Sequence, residues 1–194
     1  MNDDLEKWCV MVPAGRFQVL GIEAAKKEGL SVLALDHDPD ADGFQLADRC
    51  QLIDIKNEKQ ILNAIKAAGI RPCGAVSVAA EVGLTAVGII NDVYALNGPG
   101  RKVVSNLTNK SRQRDLWDTA KLPNPRWFCC NSKGDAESAI NSIQGPIIIK
   151  PNQGSGSRAV SRIDSEDWNT AFESAQCADP EGLVMIEQAV EGVE

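Results

Sequence analysis

The sequence contains little of what metal centres and hydrolytic triads are usually built from. Its 194 residues include one histidine, His37, and six cysteines that are scattered without the close pairing of a zinc site. A single histidine excludes a two-histidine metal site and disfavours a serine triad. The aspartates around His37 lie beside Pro39 and Gly43. We therefore predict a solvated turn there, because the glycine and glutamate of a calcium loop are misplaced.

The chain also lacks long apolar runs and an excess of positive charge. Its net charge of −7 disfavours nucleic acid and anionic membranes, which both favour clustered lysine and arginine. No apolar stretch approaches the roughly 18 residues of a membrane span. The first residues are acidic, whereas a signal peptide begins with basic residues. We expect a cytoplasmic protein with reduced thiols and with no nucleic-acid or membrane partner.

In the first half, short apolar runs alternate with helical patterns. The predicted strands are 8–12, 31–35, 51–55 and 75–78, and the predicted helices are 17–28, 58–68 and 81–91. Strands that alternate with helices of this length indicate a parallel sheet with right-handed crossovers. The sequence therefore predicts an α/β fold.

The same half outlines a dinucleotide-binding unit as an alternative. A strand, a glycine turn, a helix and a second strand ending in Asp36 follow that order. The turn contains only Gly15, where the fingerprint has three glycines. A structural turn is favoured, and an NAD-dependent oxidoreductase is the weaker hypothesis.

The second half begins at Asn97–Gly100, a cluster of helix-breaking residues that we take as a domain boundary. Thr108 is a candidate N-cap for a helix that runs to Ala120. The later predicted strands are 126–130, 146–150, 159–163 and 183–188, and the predicted helices are 135–143 and 165–178. This pattern indicates a small α+β domain, with Trp117, Trp127 and Trp168 as expected core residues.

A glycine- and serine-rich loop follows one of these strands. The apolar run 146–149 is typical of a buried strand and ends at Lys150, and β-branched residues resume at Val160. The loop between them contains four small residues, Gly154, Ser155, Gly156 and Ser157. Small residues let successive backbone N–H groups and the two serine hydroxyls point at one anion. The pattern predicts a hairpin that closes over phosphates, with a plain hairpin as the alternative. A Walker loop is excluded because the lysine precedes the glycines.

Two segments together carry a resemblance to a known family. Residues 150–157 read Lys-Pro-Asn-Gln-Gly-Ser-Gly-Ser, and residues 186–194 read Ile-Glu-Gln-Ala-Val-Glu-Gly-Val-Glu. Upstream, Lys110 lies near the start of a predicted helix, and Leu122–Pro125 supplies the hydrophobic residue and prolines that follow it. This combination resembles the ATP-grasp superfamily, which includes carboxylate–amine ligases and biotin-dependent carboxylases. Ala159 departs from the family pattern, in which a glycine frequently follows the loop.

The resemblance implies an ATP site. The implied nucleotide-binding residues are Lys110, Lys150, Gly154, Ser155, Gly156, Ser157, Glu187, Val190 and Glu194. The two lysines and the loop would face the phosphates, Glu187 the adenine amino group, the Val190 amide a ring nitrogen, and Glu194 the ribose hydroxyls. Strand alternation places Glu187 on an otherwise apolar face, where a carboxylate needs a donor. An acidic solvated tail is the alternative for these glutamates.

The resemblance also implies a domain arrangement and a reaction. A Rossmann-like pre-ATP-grasp domain (1–97) and a linker helix region (98–121) would precede a small α+β ATP-grasp lid subdomain (122–194), with the C-terminal subdomain absent. Such a chain is the N-terminal part of a ligase that phosphorylates a carboxylate for attack by an amine. Magnesium ligands are expected beyond residue 194, so this portion alone is expected to be inactive. Glu81 follows the carboxyl end of a predicted strand, where ligands of open α/β sheets collect, and is a candidate substrate contact; an exposed acid at a helix N-terminus is the alternative.

Two further expectations concern partners. The adenine strand 183–188 is expected to expose an unpaired edge and to favour a homo-oligomer. Small carboxylate and amine substrates are the other implied partners. A noncatalytic nucleotide-binding or regulatory module is the alternative function.

Overall fold

The structure of the chain is a computed structural model that describes residues 7–164 and 167–192. The chain divides into two compact units, residues 1–105 (unit 1) and residues 106–194 (unit 2). The division lies within the predicted linker region 98–121. Among the described residues, no helix has the length and apolar character needed to cross a membrane.

Unit 1 is built on a parallel four-stranded sheet. Its strands are β1 (Trp8–Met11), β2 (Ser31–Asp36), β3 (Arg49–Leu52) and β4 (Pro72–Val76). The order across the sheet is β3-β2-β1-β4, and every pairing is parallel. The predicted parallel α/β sheet is thus confirmed. The third and fourth strands lie two or three residues earlier in the chain than the sequence pattern indicates.

Four helices accompany this sheet. They are α1 (Val19–Lys27), α2 (Glu58–Ala67), α3 (Leu84–Tyr94) and α4 (Arg101–Thr108), with 3₁₀ turns at Arg16–Gln18, Asp42–Gln45 and Glu81–Gly83. Apolar side chains of β1, β2, α2 and α3 form one buried cluster that includes Val10, Leu33, Ile61, Ile65 and Ile90. Burial of this apolar surface is the main favourable term in folding the unit. Helix α4, which directly follows the glycine-proline cluster, was not predicted.

Unit 2 contains a second sheet, which is antiparallel. Its strands are β5 (Trp127–Cys130), β6 (Ile147–Pro151), β7 (Ser161–Ile163) and β8 (Val184–Gln188), in the order β5-β8-β6-β7. Its helices are α5 (Lys110–Thr119), α6 (Lys133–Ser142) and α7 (Trp168–Ala178). Strand β8 pairs with both β5 and β6. The expectation that this strand exposes an unpaired edge is therefore wrong.

The two faces of the second sheet differ in character. One face packs on α6 and α7 through a cluster that includes Ile149, Ile186 and Phe172. Glu187 lies on the other face of the sheet. Its cross-strand neighbours there are Trp127 of β5 and Ile148 of β6. Trp168 packs against the core cluster as expected, whereas Trp117 is 39% exposed on α5. The prediction of a core role for Trp117 is thus wrong.

Candidate functional site

The glycine- and serine-rich loop connects β6 to β7, which pair antiparallel as a hairpin. Gly154 and Gly156 have φ angles of +111° and +73°, and Ser157 has +53°. Glycine adopts such values without the steric cost that a Cβ brings. Ala159 also lies in the left-handed region, at +54°. The position where the family frequently has glycine is therefore one that favours glycine, and alanine occupies it here at a conformational cost.

The base of the loop is held by Asn152, a fully buried residue. Its carbonyl oxygen accepts a hydrogen bond from the Lys110 N–H at 2.9 Å, and its Oδ1 accepts one from the Ser111 N–H at 2.8 Å. Its own N–H donates to the Leu183 carbonyl at 3.0 Å. These bonds tie the loop both to the start of α5 and to the entry into β8. Sequence reasoning missed Asn152, which is one of several polar residues around the loop.

A buried carboxylate fixes the other connections of this region. Asp179 follows α7, and its Oδ2 accepts a hydrogen bond from the Gln153 N–H at 2.6 Å. Its Oδ1 accepts from the N–H groups of Glu181 and Leu183 at 2.9 and 3.0 Å. Three backbone N–H donors therefore satisfy this carboxylate, and their hydrogen bonds offset the free-energy penalty of burying it. This residue too was absent from the predicted site.

Lys110 lies at the first position of α5. The N-cap of this helix is Asn109, whose side chain accepts from the Arg112 N–H at 3.0 Å, so the predicted cap at Thr108 is wrong. The Lys110 ammonium donates to the Gly154 carbonyl at 2.8 Å. The first lysine of the predicted site thus lies directly beside the loop, whose residues 154–157 are exposed.

Glu187 lies between two cations. It is 6% exposed, and its Oε1 accepts a hydrogen bond from Lys150. Its Oε2 accepts from Arg114 Nη2 at 2.7 Å and from Arg114 Nε at 3.1 Å. Strand alternation predicts that a carboxylate at this position needs a hydrogen-bond donor. Two side chains of the protein, Lys150 and Arg114, supply it. Arg114 was not among the predicted site residues, because nothing in a polar helical segment marks one arginine from another.

Of the remaining predicted nucleotide contacts, Val190 is described and exposed, and Glu194 lies outside the described residues. Val190 follows β8, just past Glu187 along the chain. The structure thus brings Lys110, Lys150, the loop and Glu187 into one region of unit 2.

Unit 1 carries a separate cavity of about 610 Å³ where the strands end. Residues around it include Gly15, Gln18, Asp36, His37, Lys56 and Val82. Ligands of open parallel sheets collect at this edge. The candidate substrate residue Glu81 adjoins Val82 and is half-buried in a 3₁₀ turn.

Asp36 has a structural role in this cavity wall. Its Oδ2 accepts from the Ala14 N–H at 2.7 Å, and its Oδ1 accepts from the His37 and Asp38 N–H groups at 2.7 and 3.0 Å. Asp36 thus accepts three backbone hydrogen bonds, which fix the segment that follows β2 against the segment that follows β1.

The cysteines differ in burial. Cys129 and Cys130 point to opposite sides of β5, as predicted from strand alternation, because Cys129 is exposed and Cys130 is buried. Burial raises the pKa of the Cys130 thiol to about 12 and that of the Cys9 thiol to about 11. All six thiols are free.

Several known proteins are similar to this chain in sequence. No family model matches the chain. The arginine-specific large chain of carbamoyl phosphate synthase from Eremothecium gossypii is 22% identical over 180 residues, which cover 89% of this chain and 16% of that protein. D-alanine–D-alanine ligase from Delftia acidovorans is 29% identical over 98 residues, 50% of this chain and 29% of the ligase.

A solved structure shares the fold over most of the chain. It is the biotin carboxylase domain of 2-oxoglutarate carboxylase from Hydrogenobacter thermophilus, in complex with ADP, its magnesium salt and bicarbonate. The TM-score is 0.76 at 18% identity, over 95% of this chain and 44% of that one. This chain spans less than half the length of each of the three proteins. In sequence and in fold, the chain is similar to proteins of the ATP-grasp superfamily.

Proposed function

We propose that unit 2 binds ATP and belongs to a ligase that activates a carboxylate as an acyl phosphate. The observation that carries this proposal is the grouping of Lys110, Lys150 and the 154–157 loop beside the buried Glu187. Nucleotide phosphates need fixed positive charge and backbone donors, and this region offers both. The ADP held by the Hydrogenobacter neighbour supports the same ligand here.

The residues divide between the two ends of the nucleotide. Lys110 and Lys150 face the phosphates, and the 154–157 loop closes over them with its N–H groups and the hydroxyls of Ser155 and Ser157. At the adenine end, Glu187 accepts a hydrogen bond from the amino group and the Val190 N–H donates to a ring nitrogen. Glu194 binds the ribose hydroxyls. The small α+β unit then acts as the lid subdomain of the ATP-grasp fold.

The chemistry follows from charge. A carboxylate attacks the γ-phosphoryl group, ADP leaves, and an amine displaces phosphate from the acyl phosphate to form an amide. Lysines and N–H groups stabilise the charge on the transferred group. For the small carboxylate and amine substrates we assign the unit 1 cavity, with Glu81 at its border.

Magnesium would neutralise phosphate charge, and the neighbour with its ADP magnesium salt supports its use. Within residues 7–164 and 167–192, however, no group of three acidic, cysteine or histidine residues is arranged to hold a metal. Glu187 is already paired with two cations. We therefore assign the magnesium ligands to a region that follows residue 194 in a longer, cytoplasmic enzyme.

The test is to obtain the complete reading frame that contains this chain and assay its product. With Mg-ATP, a pool of small carboxylic acids and hydroxylamine, we expect acid-dependent ADP release and hydroxamate, the trapped form of an acyl phosphate. Residues 1–194 alone should release no ADP above a heat-killed control. ADP release by residues 1–194 would contradict the assignment of the magnesium ligands. ADP release by the complete protein without hydroxamate would contradict the acyl phosphate.

A further inference from the structure

Glu187 presents its two carboxylate oxygens to two different cations. Oε1 accepts from Lys150, and Oε2 accepts both hydrogen bonds from Arg114. The side chains of Lys150, Arg114 and Glu187 are 16%, 14% and 8% exposed. In so dry an environment, loss of both partners would leave an uncompensated buried charge, which is strongly destabilising. At least one cation must therefore stay on Glu187 whenever it is ionised.

The two cations differ in how firmly they are held. Arg114 Nη1 donates to Asn124 Oδ1 at 3.2 Å, and Asn124 Nδ2 donates back to the Arg114 carbonyl at 3.0 Å. The guanidinium carbon lies 4.7 Å from the centre of the Trp117 ring, in a cation–π contact. Asn124 also donates to Asp118 at 2.8 Å. The guanidinium is thus fixed on several sides.

Lys150 carries its charge on a flexible stem with three rotatable donors, whereas arginine presents a rigid fork. Lysine is the partner that can turn from Glu187 to a phosphate. When it does, Oε1 becomes available to another donor, while Oε2 keeps its two hydrogen bonds from Arg114.

We propose that Arg114 is a positioning residue that holds Glu187 in place for adenine recognition while Lys150 serves the phosphates. The proposal rests on the proposed function, in which Glu187 accepts from the adenine amino group. In this role Arg114 acts on the nucleotide only through Glu187. Without it, Lys150 must stay on Glu187 to compensate the charge, so Oε1 is no longer available to the adenine amino group.

The experiment compares two ligands by isothermal titration calorimetry on the 194-residue chain. One is ATP, and the other is purine riboside triphosphate, which lacks the 6-amino group. We expect the wild type to prefer ATP by about tenfold, the effect of one hydrogen bond to a charged acceptor. In Arg114→Met the preference should fall below about twofold. A merely structural role would weaken both ligands equally and leave the preference unchanged.

Two more variants sharpen the result. Arg114→Lys restores the charge without the fork and should recover a preference of about threefold. Arg112→Met removes another arginine of the same helix and should retain the wild-type preference. If circular dichroism shows that Arg114→Met does not fold, Arg114→Lys decides, and a full wild-type preference there would overturn the proposal.

The failures are distinguishable. A wild-type chain that binds ATP tenfold better than the analogue, together with an equal preference in Arg114→Met, overturns the positioning role alone. A wild type that binds both ligands equally overturns the adenine role of Glu187 and the positioning role with it. Absence of ATP binding overturns the proposed function itself.

Discussion

The side-chain oxygen of Asn152 accepts a hydrogen bond from the backbone N–H of Ser111 at 2.8 Å. With the bond from the Lys110 N–H to the Asn152 carbonyl, this contact fixes the loop base to the start of α5. The other amide atom, Asn152 Nδ2, is buried with no hydrogen-bond partner in the part of the chain that the structure describes. The Asn152 side chain therefore makes one hydrogen bond through Oδ1 and leaves its Nδ2 donor unsatisfied.

Asn152→Ala should destabilise unit 2. It removes the acceptor of the Ser111 N–H but also the orphaned donor, so we expect a loss of about 1–3 kcal/mol in the free energy of unfolding. Urea denaturation followed by tryptophan fluorescence measures it. Asn141→Ala, on the exposed surface of α6, is the control and should change stability by less than about 0.5 kcal/mol. Equal effects of the two changes would contradict the anchoring role of Asn152.

Cys129 should report nucleotide binding. It lies on the same face of the second sheet as Glu187, because Cys129 pairs with Met185 and Trp127 with Glu187. We expect ATP to slow alkylation of Cys129, measured by mass spectrometry of labelled peptides. Cys177 on α7 is also exposed and serves as the internal control, with an unchanged rate. Protection of both thiols, or of neither, would place the nucleotide elsewhere.

The buried thiols predict a loss of stability at high pH. The folded state raises the pKa of Cys130 to about 12, through burial first and then nearby Asp135 and Cys129. The unfolded chain ionises this thiol near its ordinary value of about 8.5. Its contribution is therefore fully present below about pH 8.5 and falls as pH rises toward the folded pKa, because the unfolded state releases its proton first.

Urea midpoints at pH 7.5 and pH 10 measure this effect. The urea midpoint of the wild type should be lower at pH 10 than at pH 7.5. The decrease should be smaller in Cys130→Ala, in which one of the titrating thiols is removed. A Cys130→Ala variant with the same pH dependence as the wild type would show that this thiol does not contribute.

Sequence patterns predict the local structure of this chain better than they predict which elements lie next to each other in space. The run 146–149 and the resumption at Val160 predict the hairpin, and strand alternation places Glu187 on its correct face. The central position of β8 was missed because alternation defines the faces of a strand but not its partners. Helix α4 was missed because the glycine-proline cluster before it indicated a linker.

The site residues missed by sequence reasoning have one physical feature in common. Arg114, Asn152 and Asp179 are polar groups whose roles arise from partners distant in the chain, such as Glu187 for Arg114. A helical segment as polar as 110–119 carries no periodicity that marks which side chain turns toward the sheet. The lysines and glycines were identified through a motif with a local spacing.

The most direct measurement is the affinity of the 194-residue chain for ATP in the wild type and in Lys150→Met. Lys150 carries the positive charge at the end of β6, so its loss should weaken binding about tenfold to a hundredfold, as expected for a charge-assisted contact. Lys133→Met is the matched control, because Lys133 forms an exposed ion pair with Glu173 on the helical side of the unit. Calorimetry should show wild-type affinity for Lys133→Met and a severe loss for Lys150→Met. Equal affinity of all three proteins for ATP would contradict the account.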